Sequence, residues 1–190
     1  MAAETLDQAK TKVAEAVDRL ADDLEKISHQ IHGNPELCFK EEKAAGWLSD
    51  FLEKQGVRVE RGVGGLATAF RATIEGIDAG EGSGPGPTVA IMAEYDALPN
   101  IGHACGHNVI ATAGTGAGAA IALALGKLPF AGRIQVIGTP AEEGGAGKVR
   151  LMEAGVFKDV DAAMMIHGRC GTQVWRPSLG IIKVTCEFFG

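Results

Sequence analysis

Apolar residues recur at three- and four-residue steps near the start of the chain: Leu6, Val13, Val17, Leu20, Leu24, Ile27 and Ile31, with one seven-residue gap and charged residues between them. That period predicts a long amphipathic helix. Asn34-Pro35 ends it, because the residue before a proline is pushed out of the helical region. A second helix is expected from about Glu41, with Ala44, Ala45, Leu48, Phe51 and Leu52 on one face and Gly56 as its stop. Val57 to Glu60 and Ala67 to Ile74 then read as strands. Thr88 to Tyr95, Arg133 to Gly138 and Ala162 to Ile166 are short apolar runs, expected as buried strands. Between them lie a small-residue helix over Val109 to Leu128, a glycine-rich loop over Thr139 to Gly147 and a helix over Lys148 to Ala154 closed by Gly155. Gly76 to Pro87 reads as a turn or flexible loop, and Gly180 to Phe189 as a strand.

Buried strands alternating with helices predict an α/β fold with a mixed, mostly parallel sheet and flanking helices. In such folds chemistry sits in the loops beyond the carboxyl ends of the strands. The 190 residues are 46% apolar and 22% charged, enough for one domain with a real core. A net charge of −6 leaves no large basic surface to grip nucleic acid. Ala111 to Leu128, the most apolar stretch, is rich in Gly, Ala and Thr and bounded by polar motifs, so a buried helix is expected rather than a membrane span. The N-terminus shows no apolar targeting segment. Four cysteines without paired spacing make no disulfide framework. A reducing cytoplasm is expected, with the cysteines as free thiols or metal ligands.

Three polar clusters each follow a buried strand. Glu94-Tyr95-Asp96-Ala97-Leu98-Pro99 runs into Gly102-His103-Ala104-Cys105-Gly106-His107-Asn108. A thiol and two imidazoles within five residues suit a borderline-soft divalent cation. Against this stands a loop with chance His and Cys, which five histidines in the whole chain make a poor account. Thr139-Pro-Ala-Glu142-Glu143-Gly144-Gly145 offers two adjacent carboxylates, one to hold metal and one to move a proton. Alone, such a pair more often marks a helix N-terminus. His167 ends the run Met164-Met165-Ile166, where lone histidines are usually structural. His29, His32, Cys38, Cys170 and Cys186 read as structural residues or ordinary thiols. Gly114-Thr-Gly-Ala-Gly118 lacks the lysine and setting of a nucleotide loop, and close helix packing accounts for it.

The ordered set His32-x-x-Pro35-Glu36, Asp96-Ala97-Leu98-Pro99, His103-x-Cys105-Gly106-His107-Asn108, Pro140-x-Glu142-Glu143 and His167 resembles the M20 metallopeptidases, over roughly residues 25 to 190. Within the family it is most similar to the aminoacylase-like amidohydrolase branch, and there to the M20 domain-containing dipeptidases, through AEYDALPNIGHACGHN. The resemblance implies that Cys105, His107, Glu143 and His167 hold two divalent ions (zinc, manganese or cobalt) and that Glu142 is the general base. It implies that Asp96 orients a ligand and tunes its basicity. Asn108 stands where many branch members have Asp.

The implied activity is hydrolysis of the amide bond of a dipeptide or N-acyl amino acid. The implied partners are a small-molecule substrate and, for the intact protein, a second copy of itself. Family members are about twice as long, a metal domain interrupted by a lid and dimerisation domain. Residues 1–179 are therefore expected to be the first part of the metal domain and 180–190 the start of the lid, so that the chain is an N-terminal fragment with little activity alone. Two other readings stay open: a non-catalytic truncated paralogue that binds metal, substrate or a full-length partner, and a protein with a single closed structural zinc site.

Overall fold

In the computed structural model, which describes residues 6–76, 86–125, 131–174, 184 and 186–189, the first amphipathic pattern is one helix, α1 (Leu6–Gly33). It buries Ala16, Leu20, Ile27 and Ile31, and the chain turns away through Asn34-Pro35. The Glu36 carboxylate accepts from the backbone N–H groups of Lys43 and Ala44 and so caps α2 (Glu42–Lys54), which buries Ala44, Leu48, Phe51 and Leu52.

Five strands form one sheet: β1 (Arg58–Arg61), β2 (Phe70–Glu75), β3 (Thr88–Ala93), β4 (Arg133–Gly138) and β5 (Ala162–Met164), in the order β1-β2-β4-β3-β5. β4, β3 and β5 are parallel neighbours, while β2 runs antiparallel to both β1 and β4. Four of the five strands thus point one way, as the alternation of strands and helices predicts. A single 3-10 turn, Val63–Gly65, precedes β2.

α3 (His107–Leu125) lies between the sheet and α1, and its glycines explain how. A Cβ on Gly118 would fall 2.2 Å from the Val136 side chain of β4, and one on Gly114 would fall 2.9 Å from the Met92 carbonyl of β3. A Cβ on Gly116 would meet Leu24 of α1 at 2.8 Å. The Gly114–Gly118 run is therefore a close-packing surface on two sides, as its sequence predicts. By length and composition α3 is apolar enough to cross a membrane; here it is packed between other elements. Its buried side chains form one core with α1, α2 and the inner face of β2 and β4.

Three expectations change. α3 begins at His107 rather than Val109, so the site histidine sits in its first turn. The loop after β4 contains a single-turn helix, α4 (Glu142–Gly145), followed by α5 (Gly147–Glu153). β5 is not buried: all three of its residues are exposed, because it is the edge strand and is covered on neither face among the described residues. Half of the strand expected over Gly180 to Phe189 falls outside the described residues, and its described positions, 184 and 186–189, are not in a strand; residues 77–85 of the glycine-rich loop and 126–128 of the third helix also lie outside.

Candidate metal centre

β3, β4 and β5 are adjacent and parallel, so the segments that leave their carboxyl ends open on one side of the sheet. The three polar clusters are those segments. The structure brings all of Cys105, His107, Glu142, Glu143 and His167 together, in two overlapping groups that share His107.

His107 is fully buried. Its Nδ1 lies 2.9 Å from the Asp96 carbonyl and 3.0 Å from Asp96 Oδ1. Those acceptors fix the proton on Nδ1, which leaves the Nε2 lone pair facing inward. There it meets Glu94 Oε2 at 3.4 Å, Glu143 Oε1 at 3.8 Å and Glu142 Oε2 at 3.9 Å, and it has no hydrogen-bond partner among the described residues. Cys105 Sγ is 3.6 Å from His167 Nε2, and the two histidine rings meet edge to face with centroids 6.1 Å apart.

Electron-rich atoms turned on one another in a buried space repel unless a cation lies among them. Four carboxylates (Glu94, Asp96, Glu142 and Glu143) and a Cys105 thiolate face one lysine, Lys148, which ion-pairs with Glu94 Oε1. Two divalent cations would cancel the four negative charges that remain. The donor set of thiolate, imidazole and carboxylate fits zinc, manganese or cobalt. Without a cation, protons take its place. Burial, then the hydrogen bond and charge of Glu143, and then Glu142 and Glu94 push the Cys105 thiol up to about 11. Burial lowers the His107 pKa, but the Asp96 hydrogen bond and the charges of Glu94, Asp96 and Glu143 outweigh it and hold the value above the ordinary one.

Asp96 is buried and is the hub of the support. Its Oδ2 accepts from the Glu143 backbone N–H at 2.9 Å and from the Cys38 thiol at 3.6 Å. Burial raises its pKa, but the hydrogen bonds from His107 and the Glu143 amide prevail and hold it below the usual value. Asp96 contacts His107 and the Glu143 backbone from behind rather than facing the centre of the cluster. The Glu142 side chain is 44% exposed and Glu143 only 18%, so the two adjacent acids differ in access to solvent.

Around the site, Asn108 turns away and donates to Ser28 Oγ of α1 at 3.0 Å, so its amide docks α3 on α1. His103 is buried with its ring centroid 6.3 Å from that of His32, beside the site rather than in it. Cys38 is no ordinary surface thiol: it reaches Asp96, and its sulfur would lie 3.2 Å from a Cβ on Gly144. Sequence reasoning includes Glu94 in the first polar cluster without giving it a role, and misses Lys148. Glu94 carries a signal, since it sits two residues before Asp96 at the same strand end. Lys148 carries none, because only the fold brings α5 over β3.

Residues 90–187 match the profile of Peptidase family M20/M25/M40. The chain is 38% identical over 191 residues to the Xaa-Arg dipeptidase of Mus musculus, covering 97% of this chain and 44% of that protein. It is 36% identical over 158 residues to a p-aminobenzoyl-glutamate hydrolase chain of Escherichia coli, covering 74% of this chain and 31% of that one. A crystal structure from Bacillus subtilis, described as a dinuclear metal binding peptidase from M20 family, superposes with a TM-score of 0.66 at 28% identity, over 80% of this chain and 44% of that one. The chain thus spans less than half the length of the relatives it matches.

Proposed function

The chain belongs to Peptidase family M20/M25/M40, and on that premise we propose that it carries the metal-binding part of a hydrolase that cleaves the amide bond of a dipeptide or an N-acyl amino acid. The observation that carries the reading is the convergence on His107 of two groups of ligand atoms, Cys105 with His167 and Glu142 with Glu143, each within 4.8 Å of one another. Relatives named as a dipeptidase and as an aminobenzoyl-glutamate hydrolase support the substrate class, since both names describe an amide with an amino acid on one side.

In this reading Cys105, His107, Glu143 and His167 hold two divalent ions. The bound ions would supply Lewis acidity, lowering the pKa of water and polarising the substrate carbonyl. Glu142 is the base. It is the more exposed of the acid pair, so it can meet both water and substrate. It accepts a proton as water attacks the carbonyl carbon and delivers that proton to the departing amine. Asp96 keeps His107 in the tautomer whose Nε2 is free, and pins the Glu143 amide at the same time. Lys148 ion-pairs with one oxygen of the buried Glu94, whose other oxygen lies 3.4 Å from His107 Nε2. Activity belongs to a protein of the relatives' length, acting as a homodimer in the cytoplasm, and the 190 residues alone turn over little.

The test is Glu142→Gln in the complete protein, assayed on dipeptides and N-acyl amino acids with zinc, manganese or cobalt. A general base contributes about 10²- to 10⁴-fold, so kcat falls by that range while bound metal stays at the parent level. Activity within a few-fold of the parent would remove Glu142 from the mechanism.

A further inference from the structure

Glu142 lies between two backbone amides, and a buried carboxylate holds each of them. The amide after it, Glu143 N–H, donates to Asp96 Oδ2 at 2.9 Å. The amide before it, Ala141 N–H, donates to Glu41 Oε1 at 2.8 Å. Glu41 is 0% exposed, and both of its carboxylate oxygens are engaged: Oε1 also accepts from the Phe39 N–H at 2.9 Å, and Oε2 accepts from the Thr68 hydroxyl at 2.9 Å. The Tyr95 hydroxyl in turn donates to the Thr68 carbonyl at 2.6 Å, so the chain of contacts is anchored in the core.

The held position is a strained one. Ala141 has φ 59° and ψ 46°, a left-handed conformation that crowds a Cβ and that a residue other than glycine adopts only when its surroundings hold it there. It immediately precedes the acid pair, between Pro140 and the single turn of α4. That conformation aims Glu142 and Glu143 back at His107 instead of letting the chain run on from β4. Phe39 is itself left-handed, at φ 62°, and its ring packs where a Cβ on Gly145 would come within 2.4 Å, closing the turn from the other side.

We propose that Glu41 is a positioning residue for the proton-transfer base: it holds the left-handed turn at Ala141 and so sets the aim of Glu142 toward the site, as Asp96 does from the far side. The proposal rests on the reading of Glu142 as the base, and it has one arm that does not.

The test compares three variants of the complete protein. Glu41→Gln keeps an oxygen in reach of both amides and can donate to Thr68. Glu41→Asp keeps the charge but is one methylene short. Glu41→Ala removes the acceptor. For Ala and Asp, kcat falls by about 100-fold with KM within about threefold of the parent, the loss expected from an ångström of misplacement. Gln retains at least about a third of the parent kcat, since it keeps the acceptor. In hydrogen exchange the segment 139–147 opens at least about tenfold faster in Ala and Asp than in the parent or Gln, because the bond lost is one to a charged, buried carboxylate. An Ala or Asp variant that keeps kcat and exchange within twofold overturns the proposal, as does a Gln variant that falls as far as Ala. If Ala fails to fold, the Gln and Asp pair decides alone. If the parent hydrolyses no amide while the exchange pattern holds, the base assignment fails and the holding role stands.

Discussion

His107 and His167 stand with ring centroids 6.1 Å apart, yet they belong to differently built parts of the molecule. His107 is in the first turn of a helix wedged between the sheet and α1, fully buried, with Nδ1 fixed by Asp96. His167 follows an edge strand of three exposed residues, and its Nδ1 lies 3.0 Å from the carbonyl of its own neighbour, Gly168. The inner side of the site is set by the core, whereas His167 on the outer side contacts the Cys105 thiol and its own neighbour's carbonyl, so under the proposed reading an ion would have to fix its position. Preorganised ligands lower the ordering that binding must impose, so the two sides should respond differently to the same kind of damage.

The largest contrast comes from removing each imidazole in turn. His107→Ala strips the partner from buried carboxylates, and breaking a buried pair costs about 3–5 kcal/mol. A loss of about 3 kcal/mol in denaturant unfolding of the metal-free protein is expected, together with loss of zinc binding. His167→Ala should cost less than about 1 kcal/mol, because the half-buried ring is not packed into the core, and leave zinc bound through Glu143 and His107. Equal stability losses from the two would erase the distinction between inner and outer sides.

Next in size is Asp96→Asn, which keeps the shape of the side chain and removes its charge. The Asp96 main-chain carbonyl still holds the His107 Nδ1 proton in this variant, so what is lost is the carboxylate charge behind His107 and the charge-assisted bond from the Glu143 amide. Loss of such a supporting carboxylate typically weakens metal affinity by about 10- to 100-fold, read by zinc or cobalt titration. Cys38→Ala, which removes only the weaker thiol contact to Asp96 at 3.6 Å, should stay within about threefold, because a thiol is a weak donor and Asp96 keeps its other partners.

The pH dependence of metal binding separates the sides a third way. With its pKa pushed up to about 11, the Cys105 thiol is protonated throughout the neutral range, so an ion that binds the thiolate must displace that proton. Apparent zinc affinity should therefore rise by at least about tenfold per pH unit between about pH 7 and 9. In Cys105→Ser the slope should fall by one proton. His107 steepens the curve further at the acid end. Its folded pKa is raised, so its protonated form stabilises the metal-free protein below the unfolded value of about 6.5, and that contribution is lost as pH rises through the folded value. A slope unchanged by Cys105→Ser would take the thiolate out of the ligand set.

Much of this is legible in the chain. Glu142, Glu143 and His167 follow apolar strands, and the chemistry of Cys105 and His107 is carried by residue type and spacing. The hydrophobic period marks α1 and α2 nearly to their ends, and β4 to the residue. What stays hidden is what depends on contacts distant in sequence. Glu41 acts on Ala141 a hundred positions away, and Cys38 on Asp96 across fifty-eight. Nothing in either neighbourhood announces the other. The exposure of β5 is hidden for a related reason: Ala162 to Met164 is apolar enough for a core strand, but composition does not tell an edge from a centre.

That edge strand supplies the smallest expected effect. Ile137 of β4 is fully buried, while Met164 of β5 is 56% exposed, though both are apolar residues in the same sheet. Ile137→Ala removes a packed side chain from the core and should cost about 2–5 kcal/mol. Met164→Gln trades one unbranched, half-exposed side chain for another, and in the 190-residue chain should change unfolding free energy by no more than about 0.5 kcal/mol. Metal affinity should not move, since the strand backbone, rather than its side chains, carries the chain toward His167. A Met164→Gln loss approaching that of Ile137→Ala would show that the outer face of β5 is covered after all, and His167 would then count with the preorganised side of the site.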